Sequence, residues 1–293
     1  MTEYATNGLR RRDRALGSLL GLAVGDAIGT TVEFKARDSF EPMADMIGGG
    51  PFRLKPGEWT DDMSMALCLA DALIAGKGKL DPTDLLNRFV NWWQHGSNSV
   101  TAECFDIGNA TRAALSAFVR TGVVVNNENS NMQANGSIMR LAPAVICATS
   151  REHAIELALV QGATTHAAPV PMTCCKELAA LLWDLIEEGD KRLVGRHYSS
   201  RSRNSIVSSG HAPATLDAAR WAVATSKDFR SAVLKGVNLG DDADTVGAVT
   251  GQIAGALYGL GGIPKLWLDK LAWRDDIAGR AGELWNIRGL SER

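Results

Sequence analysis

The sequence is poor in cysteine and shows none of the arrangements that make cysteines structural. Five cysteines occur among the 293 residues, at positions 68, 104, 147, 174 and 175. Their number is odd, no two form a C-x-x-C motif, and no histidines stand at zinc-site spacing. This pattern argues against a disulfide framework and a zinc finger, and it predicts reduced thiols in a cytoplasmic protein.

Charge of one sign and membrane signals are also scarce. The chain carries 31 Lys and Arg against 33 Asp and Glu, and no basic stripe indicates a nucleic-acid surface. The N-terminal stretch MTEYATNGLRRRDR lacks the apolar segment of a secretory signal. The one membrane-like run, residues 246–263, includes Thr250, Gln252 and repeated glycines. We therefore predict that this run is a buried helix and that the protein has no stable membrane insertion.

Strand patterns are missing as well. No segment sustains the alternation of apolar and polar residues that a half-buried strand requires, which argues against a parallel α/β sheet. Apolar residues recur instead at i, i+3 and i+4, with loops at 46–58, 126–135 and 197–211. We expect an all-α fold, a single-domain multi-helix bundle over residues 1–293 with its core at about 12–290 and no substantial sheet. The predicted helices span residues 12–28, 63–75, 82–93, 105–120, 155–161, 172–188, 214–225, 228–237 and 245–260.

Two of these helices carry glycine at every fourth position. Residues four apart lie on one helical face, and each glycine inside a helix costs about 1 kcal/mol relative to alanine. Four in a row therefore indicate that another backbone approaches closely. Each row of glycines forms a ridge of small residues on its helix. Either the two ridges pack against each other or each ridge packs against a different neighbouring helix. The ridges are Gly17, Gly21, Gly25 and Gly29, and Gly247, Gly251, Gly255 and Gly259.

Acidic clusters precede two helices. The sequences WTDD at 59–62 and GDDADT at 240–245 each combine a threonine with consecutive aspartates. One such cluster alone would be read as helix capping, with Thr60 as N-cap and aspartates favoured by the helix dipole. The second cluster packs more carboxylates than capping uses, and like charges this close repel unless cations compensate them. If the helix N-termini converge, a binuclear centre for two divalent cations, Mg²⁺ or Mn²⁺, would have as ligands Thr60, Asp61, Asp62, Asp242, Asp244 and Thr245.

Other polar residues are weak signals when taken singly. Asp26 interrupts the first glycine-rich helix, and Glu33 follows it closely. Asp106 is predicted to start a helix among apolar residues. Each of these acids alone would be a cap or a surface charge. The segment 135–140, NGSIMR, alone would be a turn, and His166 alone an ordinary loop histidine.

Taken together and in order, these segments form a recognisable set. The stretches are GLAVGDAIGTTVEF, WTDD, FDIGNATR, NGSIMR, TTH and VNLGDDADTVGAVTGQIAGALYG, and the resemblance that rests on them runs over about residues 14–259. The set resembles the ADP-ribosylglycohydrolases and is most similar to the dinitrogenase reductase-activating glycohydrolase group. The resemblance implies an all-α fold, a binuclear Mg²⁺ or Mn²⁺ centre with the six ligands above, and reactive-side carboxylates at Asp106 and Glu33. It implies that the ADP-ribose cleft is lined by Asn109, Asn135, Gly136, Ser137, Met139 and His166.

The sequence departs from the family pattern in two places. Asp241 replaces the second glycine of the usual G-G-D-A-D. The segment 210–215 reads GHAPAT where relatives tend to read G-Y-V-V-D-T.

The resemblance implies hydrolysis of the N-glycosidic bond between ADP-ribose and an arginine side chain of a protein substrate. Such cleavage passes through an oxocarbenium-like state, for which Asp106 or Glu33 would act as the base. Alternatives are another linkage, serine O-linked or in a small molecule, and a non-catalytic ADP-ribose-binding or structural protein on the same scaffold. An all-α prenyl-diphosphate enzyme would need D-D-x-x-D, but Met65 stands at the third acidic position. The expected partners are the ADP-ribosylated protein and ADP-ribose, with room for a regulatory protein.

Overall fold

Helices form almost all of the regular structure. The computed structural model describes residues 3–124 and 132–290, so the predicted loop 126–135 is described only in part. Within these ranges there is no β-strand, only isolated bridges of Gly49 with Leu54 and Ala134 with His211. The predicted all-α fold is confirmed. The described α-helices are α1 (Glu3–Gly29), α2 (Asp61–Ala75), α3 (Pro82–His95), α4 (Asn109–Thr121), α5 (Ala142–Ile146), α6 (Arg151–Ala163), α7 (Pro169–Glu188), α8 (Ala212–Ala224), α9 (Phe229–Val237), α10 (Ala243–Tyr258), α11 (Lys265–Lys270) and α12 (Arg274–Leu290).

Helices α1 and α10 form the centre of the fold as an antiparallel pair whose glycines face each other. A Cβ atom built on Gly251 would lie 1.9 Å from the carbonyl oxygen of Gly21. One built on Gly247 would lie 2.4 Å from the carbonyl oxygen of Gly25. No side chain fits at such distances, which is why glycine is needed here despite its low helix propensity. Of the two alternatives left by the sequence, direct packing of the two ridges is confirmed.

The other helices surround this pair. Helices α7, α8 and α9 pack on α10, and α7 and α12 pack on α1. Helix α2 lies against α3, α5 and α12. Because α10 is buried along nearly its whole length, Asp244 in its first turn is enclosed by the fold.

The helix boundaries differ from the sequence prediction near the site. The predicted helix 105–120 is wrong at its start, since α4 begins at Asn109 and Asp106 lies in the preceding loop with φ +58°. The sequence patterns also miss three helices, α5, α11 and α12. Helix α5 is too short to show a period, and in α12 the buried Ile277 and Leu284 are separated by charged residues and glycines.

Two apolar stretches are core helices. Residues 7–32 are long and apolar enough to cross a membrane by composition, but their most apolar window is 100% buried inside the fold. The run 246–263, predicted to be a buried helix, corresponds to most of α10 and the short 3₁₀ turn after it. Both stretches gain their burial from packing within the chain, chiefly against each other.

Candidate metal centre and active-site cleft

The acidic N-termini of α2 and α10 meet inside the protein. The Thr60 hydroxyl oxygen lies 3.3 Å from Asp244 Oδ2, and the Thr245 hydroxyl donates to Asp62 Oδ2 over 3.5 Å. The glycine-lined pairing continues to this point, since a Cβ on Gly29 would lie only 2.5 Å from the Cα of Asp244. The convergence on which the metal prediction depends is therefore present.

Asp26 of α1 organises the start of α2. Its Oδ1 accepts hydrogen bonds from the Thr60 N–H (2.9 Å) and hydroxyl (3.0 Å), and its Oδ2 accepts from the Met63 N–H (3.0 Å). Thr60 is the N-cap residue, but its own side chain makes no capping hydrogen bond. The capping interpretation of this cluster is therefore wrong for Thr60, because a carboxylate from another helix caps α2 and leaves the hydroxyl among the acids.

Glu33 is held beside the acids by two interlocked loops. The N–H of Phe34 donates to the carbonyl of Asp241, and the N–H of Asp241 donates to the carbonyl of Lys35, both over 2.7 Å. Phe34 and Asp241 have φ values of +62° and +55°, in the region that favours glycine. Aspartate tolerates this conformation better than most residues. The exposed Asp241 can therefore replace the family's glycine without changing the loop.

Asp106 reaches the same acids from the loop before α4. Carboxylate oxygens of Glu33, Asp106 and Asp244 lie within 4.8 Å of one another. Carboxylate oxygens of Asp61, Asp62 and Asp244 form a second group with the same spacing. Asp244 belongs to both groups and therefore joins them into one acidic cluster.

The carboxyl groups of the cluster have raised pKa values. Burial and the neighbouring Asp244 raise the pKa of Asp26 to about 8 and that of Asp242 to about 7. Burial and the charge of Asp61 raise the pKa of Asp106 to about 11. Without added positive charge, several of these acids hold protons at neutral pH.

Some oxygens of the cluster have no protein partner. Glu33 Oε2 and Asp62 Oδ1 are buried and have no hydrogen-bond partner among residues 3–124 and 132–290. Burial and Asp244 also hold the pKa of Glu33 far above its usual range. Carboxylate and hydroxyl oxygens are the preferred ligands of hard divalent cations. The residues present therefore fit a divalent-metal centre.

These raised pKa values predict an unusual pH dependence of the ion-free protein. A carboxyl group whose pKa is raised by folding stabilises the fold while protonated, and that contribution is lost as pH rises toward the folded pKa. The values for Asp242 and Asp26, about 7 and 8, place this loss between pH 5 and 8. In chelator, we expect the free energy of unfolding to fall by about 2 kcal/mol or more across this window.

Denaturant unfolding with and without Mg²⁺ checks this expectation. Added Mg²⁺ should remove most of the pH dependence, because the cation favours the ionised carboxylates. Equal stability at pH 5 and pH 8 in chelator would show that the acids are not strained when ion-free.

A cleft of about 370 Å³ opens beside the acids. Thr60 and Asp62 are fully buried and do not line this cleft. The side chain of Ser137 is fully buried away from the cleft, and its carbonyl accepts a hydrogen bond from Gln161 Nε2 over 2.8 Å. All other residues predicted for the site line the cleft: Glu33, Asp61, Asp106, Asn109, Asn135, Gly136, Met139, His166, Asp242, Asp244 and Thr245. Their individual roles stay predictions.

Asn135 joins the cleft wall to the acidic cluster. Its Nδ2 donates to Asp242 Oδ2 over 2.5 Å and to Thr215 Oγ1 over 2.9 Å, and its N–H donates to the Gly210 carbonyl over 3.1 Å. Thr215 and Gly210 bound the segment that departs from the family pattern. Residues at the two ends of this segment therefore hold Asn135 in place by hydrogen bonds. No signal in the sequence indicated this role of Thr215.

Two larger surface depressions lie elsewhere, of about 530 Å³ beside Trp273 and about 500 Å³ beside Asp71. The aspartates lining them are held in ion pairs, such as Asp71 with Arg280 at 2.7 Å and Asp276 with Arg280 at 2.5 Å. Paired acids offer no open ligand set, so the smaller cleft is the candidate site.

Known proteins show similarity along nearly the whole chain. The family model described as ADP-ribosylglycohydrolase matches residues 7–293. The ADP-ribosylarginine hydrolase Tri1 of Pseudomonas putida (strain GB-1) is 46% identical, over 94% of this chain and 78% of its own length. The protein of the same description from Serratia proteamaculans (strain 568) is 44% identical, over 93% and 79%.

Two further comparisons support the same relationship. The ADP-ribosyl-dinitrogen reductase glycohydrolase of Rhodospirillum rubrum is 34% identical, over 88% of this chain and 90% of its own length. A solved structure described as an ADP-ribosylglycohydrolase-related protein complex is 39% identical and superposes with a TM-score of 0.82. It covers 95% of this chain and 99% of its own.

Proposed function

We propose, since the chain belongs to the ADP-ribosylglycohydrolase family, that it hydrolyses the N-glycosidic bond between ADP-ribose and an arginine side chain of a protein. The description of the Pseudomonas and Serratia relatives as ADP-ribosylarginine hydrolases supports the arginine linkage. The structural observation that carries the proposal is the pair Asp106 and Glu33, which meet Asp244 at the cleft.

We further propose that two divalent cations, Mg²⁺ or Mn²⁺, are bound at the cluster. When bound, such cations supply Lewis acidity and positive charge beside the reacting bond. The unpartnered oxygens of Glu33 and Asp62 support this assignment. The residues that would hold the ions are Thr60, Asp61, Asp62, Asp242, Asp244 and Thr245.

The protein's own acids then handle the proton and the leaving group. The protonated guanidinium leaves with the electron pair of the C–N bond as a neutral guanidine, and the positive charge passes to the ribose, where nearby carboxylates stabilise it. The proton released by the attacking water finally restores the guanidinium. Either Asp106 or Glu33 takes the proton from the attacking water. Asp106 also suits a charge-assisted hydrogen bond with the guanidinium that leaves.

Replacing Asp106 by asparagine is expected to lower kcat at least about 10²-fold, the scale of a lost acid–base group. Asparagine keeps the size of the side chain but cannot accept the proton. The measurement is ADP-ribose release from a modified arginine peptide, with Mg²⁺-dependent thermal stabilisation as a check that the centre remains intact. A kcat within about threefold of the parent would transfer the base role to Glu33.

The linkage is tested by offering matched arginine-linked and serine-linked ADP-ribosyl peptides at one Mg²⁺ concentration. We expect faster release from the arginine peptide. Faster release from the serine peptide would show that the serine O-linkage is the preferred bond, while the protein would still be a hydrolase. No release from either peptide, with ADP-ribose still bound, would favour a non-catalytic binder.

We place the enzyme in the cytoplasm. The free cysteines support this proposal, since Cys68, Cys147, Cys174 and Cys175 are buried as thiols and Cys104 is half-buried and unpaired. A regulatory protein partner stays a prediction.

A further inference from the structure

Arg140 is a fully buried cation behind the cleft wall. Within the chain that the structure describes, no carboxylate lies in ion-pair distance of its guanidinium. The Phe89 ring lies against it, with the centroid at 4.5 Å, and Met65 Sδ lies 3.6 Å from one of its terminal nitrogens. Burying a charge without an ion-pair partner costs free energy of folding. The hydrogen bonds that compensate the Arg140 guanidinium therefore indicate which part of the protein this residue serves.

The guanidinium donates to Gln161 of α6 and to Thr165 in the turn that follows this helix. Its Nε donates to Gln161 Oε1 over 2.9 Å, and one terminal nitrogen donates to Thr165 Oγ1 over 2.8 Å. Gln161 passes this connection on to the carbonyl of Ser137, next to the cleft residue Gly136. Arg140 thus holds two neighbouring parts of the cleft wall.

Thr165 connects Arg140 with His166. The Thr165 hydroxyl oxygen lies 2.7 Å from His166 Nδ1. Arginine can only donate, so Thr165 must accept from Arg140, while its single proton is free to point elsewhere. Among the described residues, His166 Nδ1 is the acceptor within hydrogen-bond distance of that proton. Donation to Nδ1 leaves the proton of a neutral imidazole on Nε2.

The Nε2 edge of His166 belongs to the cleft. A Cβ atom built on Gly136 would lie 2.9 Å from Nε2, and both residues line the cavity. Burial and the charge of Arg140 lower the pKa of His166 to about 3, so the ring is neutral in the working range of pH. A neutral ring with its proton on Nε2 presents a hydrogen-bond donor to a ligand rich in acceptor oxygens.

We propose that Arg140 is a positioning residue that acts through the Thr165 hydroxyl to keep His166 as an Nε2–H donor toward the cleft. The ligand side of this inference rests on the proposed function. The tautomer itself is a property of the ligand-free protein and can be measured without substrate.

The first experiment reads the tautomer directly. The ¹⁵N chemical shifts of the two ring nitrogens differ between protonated and bare nitrogen, and His166→Ala identifies the signals of this residue among the five histidines. Thr165→Val removes the hydroxyl and keeps the shape, whereas Thr165→Ser keeps the hydroxyl. We expect the Nε2–H form in the parent and in Thr165→Ser, and a rise of the Nδ1–H form in Thr165→Val. An Nδ1–H parent, or no change in Thr165→Val, overturns the proposal.

The second experiment asks whether Thr165 and Arg140 act through His166. Thr165→Val is expected to raise KM about tenfold with kcat changed less than about twofold, as for one lost hydrogen bond to bound ligand. Arg140→Met should do the same, and if that variant fails to fold, Thr165→Val still carries the test. In a His166→Ala background neither substitution should raise KM further. Additive increases in KM would overturn the proposal.

The two readouts separate this inference from the proposed function. If no ADP-ribosyl substrate is hydrolysed, the tautomer measurement still tests the Arg140–Thr165–His166 connection. If hydrolysis is found but the parent tautomer is Nδ1–H, the positioning role fails and the proposed function stands.

Discussion

Replacing Asp244 by asparagine is expected to lower ADP-ribose release at least about 10³-fold, because several kilocalories per mole of transition-state stabilisation by the bound ions would be lost. Asp244 is shared by both groups of clustered carboxylates, and its Oδ2 lies 3.3 Å from the Thr60 hydroxyl oxygen. Asparagine keeps the shape but provides one neutral oxygen instead of a carboxylate. The same variant should lose most of the thermal stabilisation that Mg²⁺ gives the parent.

The ion-free variant should not be less stable than the ion-free parent. Burial raises the pKa of Asp244, and this residue in turn raises the pKa of Asp26 and Asp242. Removing the charge of Asp244 therefore relieves repulsion among the neighbouring carboxylates. If the ion-free variant is as stable as the ion-free parent, unfolding does not explain its loss of activity. The matched control is Asp241→Asn, the same change at an exposed position three residues away, which should keep activity and Mg²⁺ stabilisation. Parent-like release by Asp244→Asn would remove the metal centre from the mechanism.

The sequence predicts those parts of the site that repeat a chemical pattern. The two threonine–aspartate clusters at helix starts indicated a shared metal-binding chemistry. The glycines at every fourth position indicated close helix packing, which includes the pairing of α1 with α10. Residues that act by position were harder to see. Asp26 stood out as a lone carboxylate in an apolar helix, but its partner Thr60 lies 34 residues away, and only the folded chain shows that it caps α2.

The one misplaced helix start near the site has a local physical cause. Asp106 follows the apolar period of the next helix, yet it has a positive φ and lies in the loop before that helix, which begins three residues later, at Asn109. From this loop its carboxylate reaches the other acids. The side chain of Ser137 is fully buried, so its predicted part in binding ADP-ribose stays a prediction. Thr215 carries no chemical signature, because its role is to hold Asn135.

The glycine pairing and the acidic cluster are parts of one construction. The backbone approach that begins between Gly17 and Gly255 continues to Gly29, where α1 touches the backbone of Asp244. Any side chain inserted along this line must push α10 away from α1. The cluster would then open, since its two halves are attached to helices whose spacing the glycines set.

Gly251→Ala is therefore expected to lower the free energy of unfolding by at least about 4 kcal/mol, a size reserved for severe core defects. The added Cβ would lie 1.9 Å from the Gly21 carbonyl oxygen, and a backbone atom in a paired helix cannot move aside as a flexible side chain can. Urea unfolding measures the change, and poor accumulation of folded protein is the extreme form of the same result. The matched control is Gly279→Ala in α12, where a Cβ meets nothing within 4 Å. There alanine should be neutral or stabilising by up to about 1 kcal/mol through helix propensity. Equal stabilities of the two variants would mean that α1 and α10 are farther apart than the glycine contacts indicate.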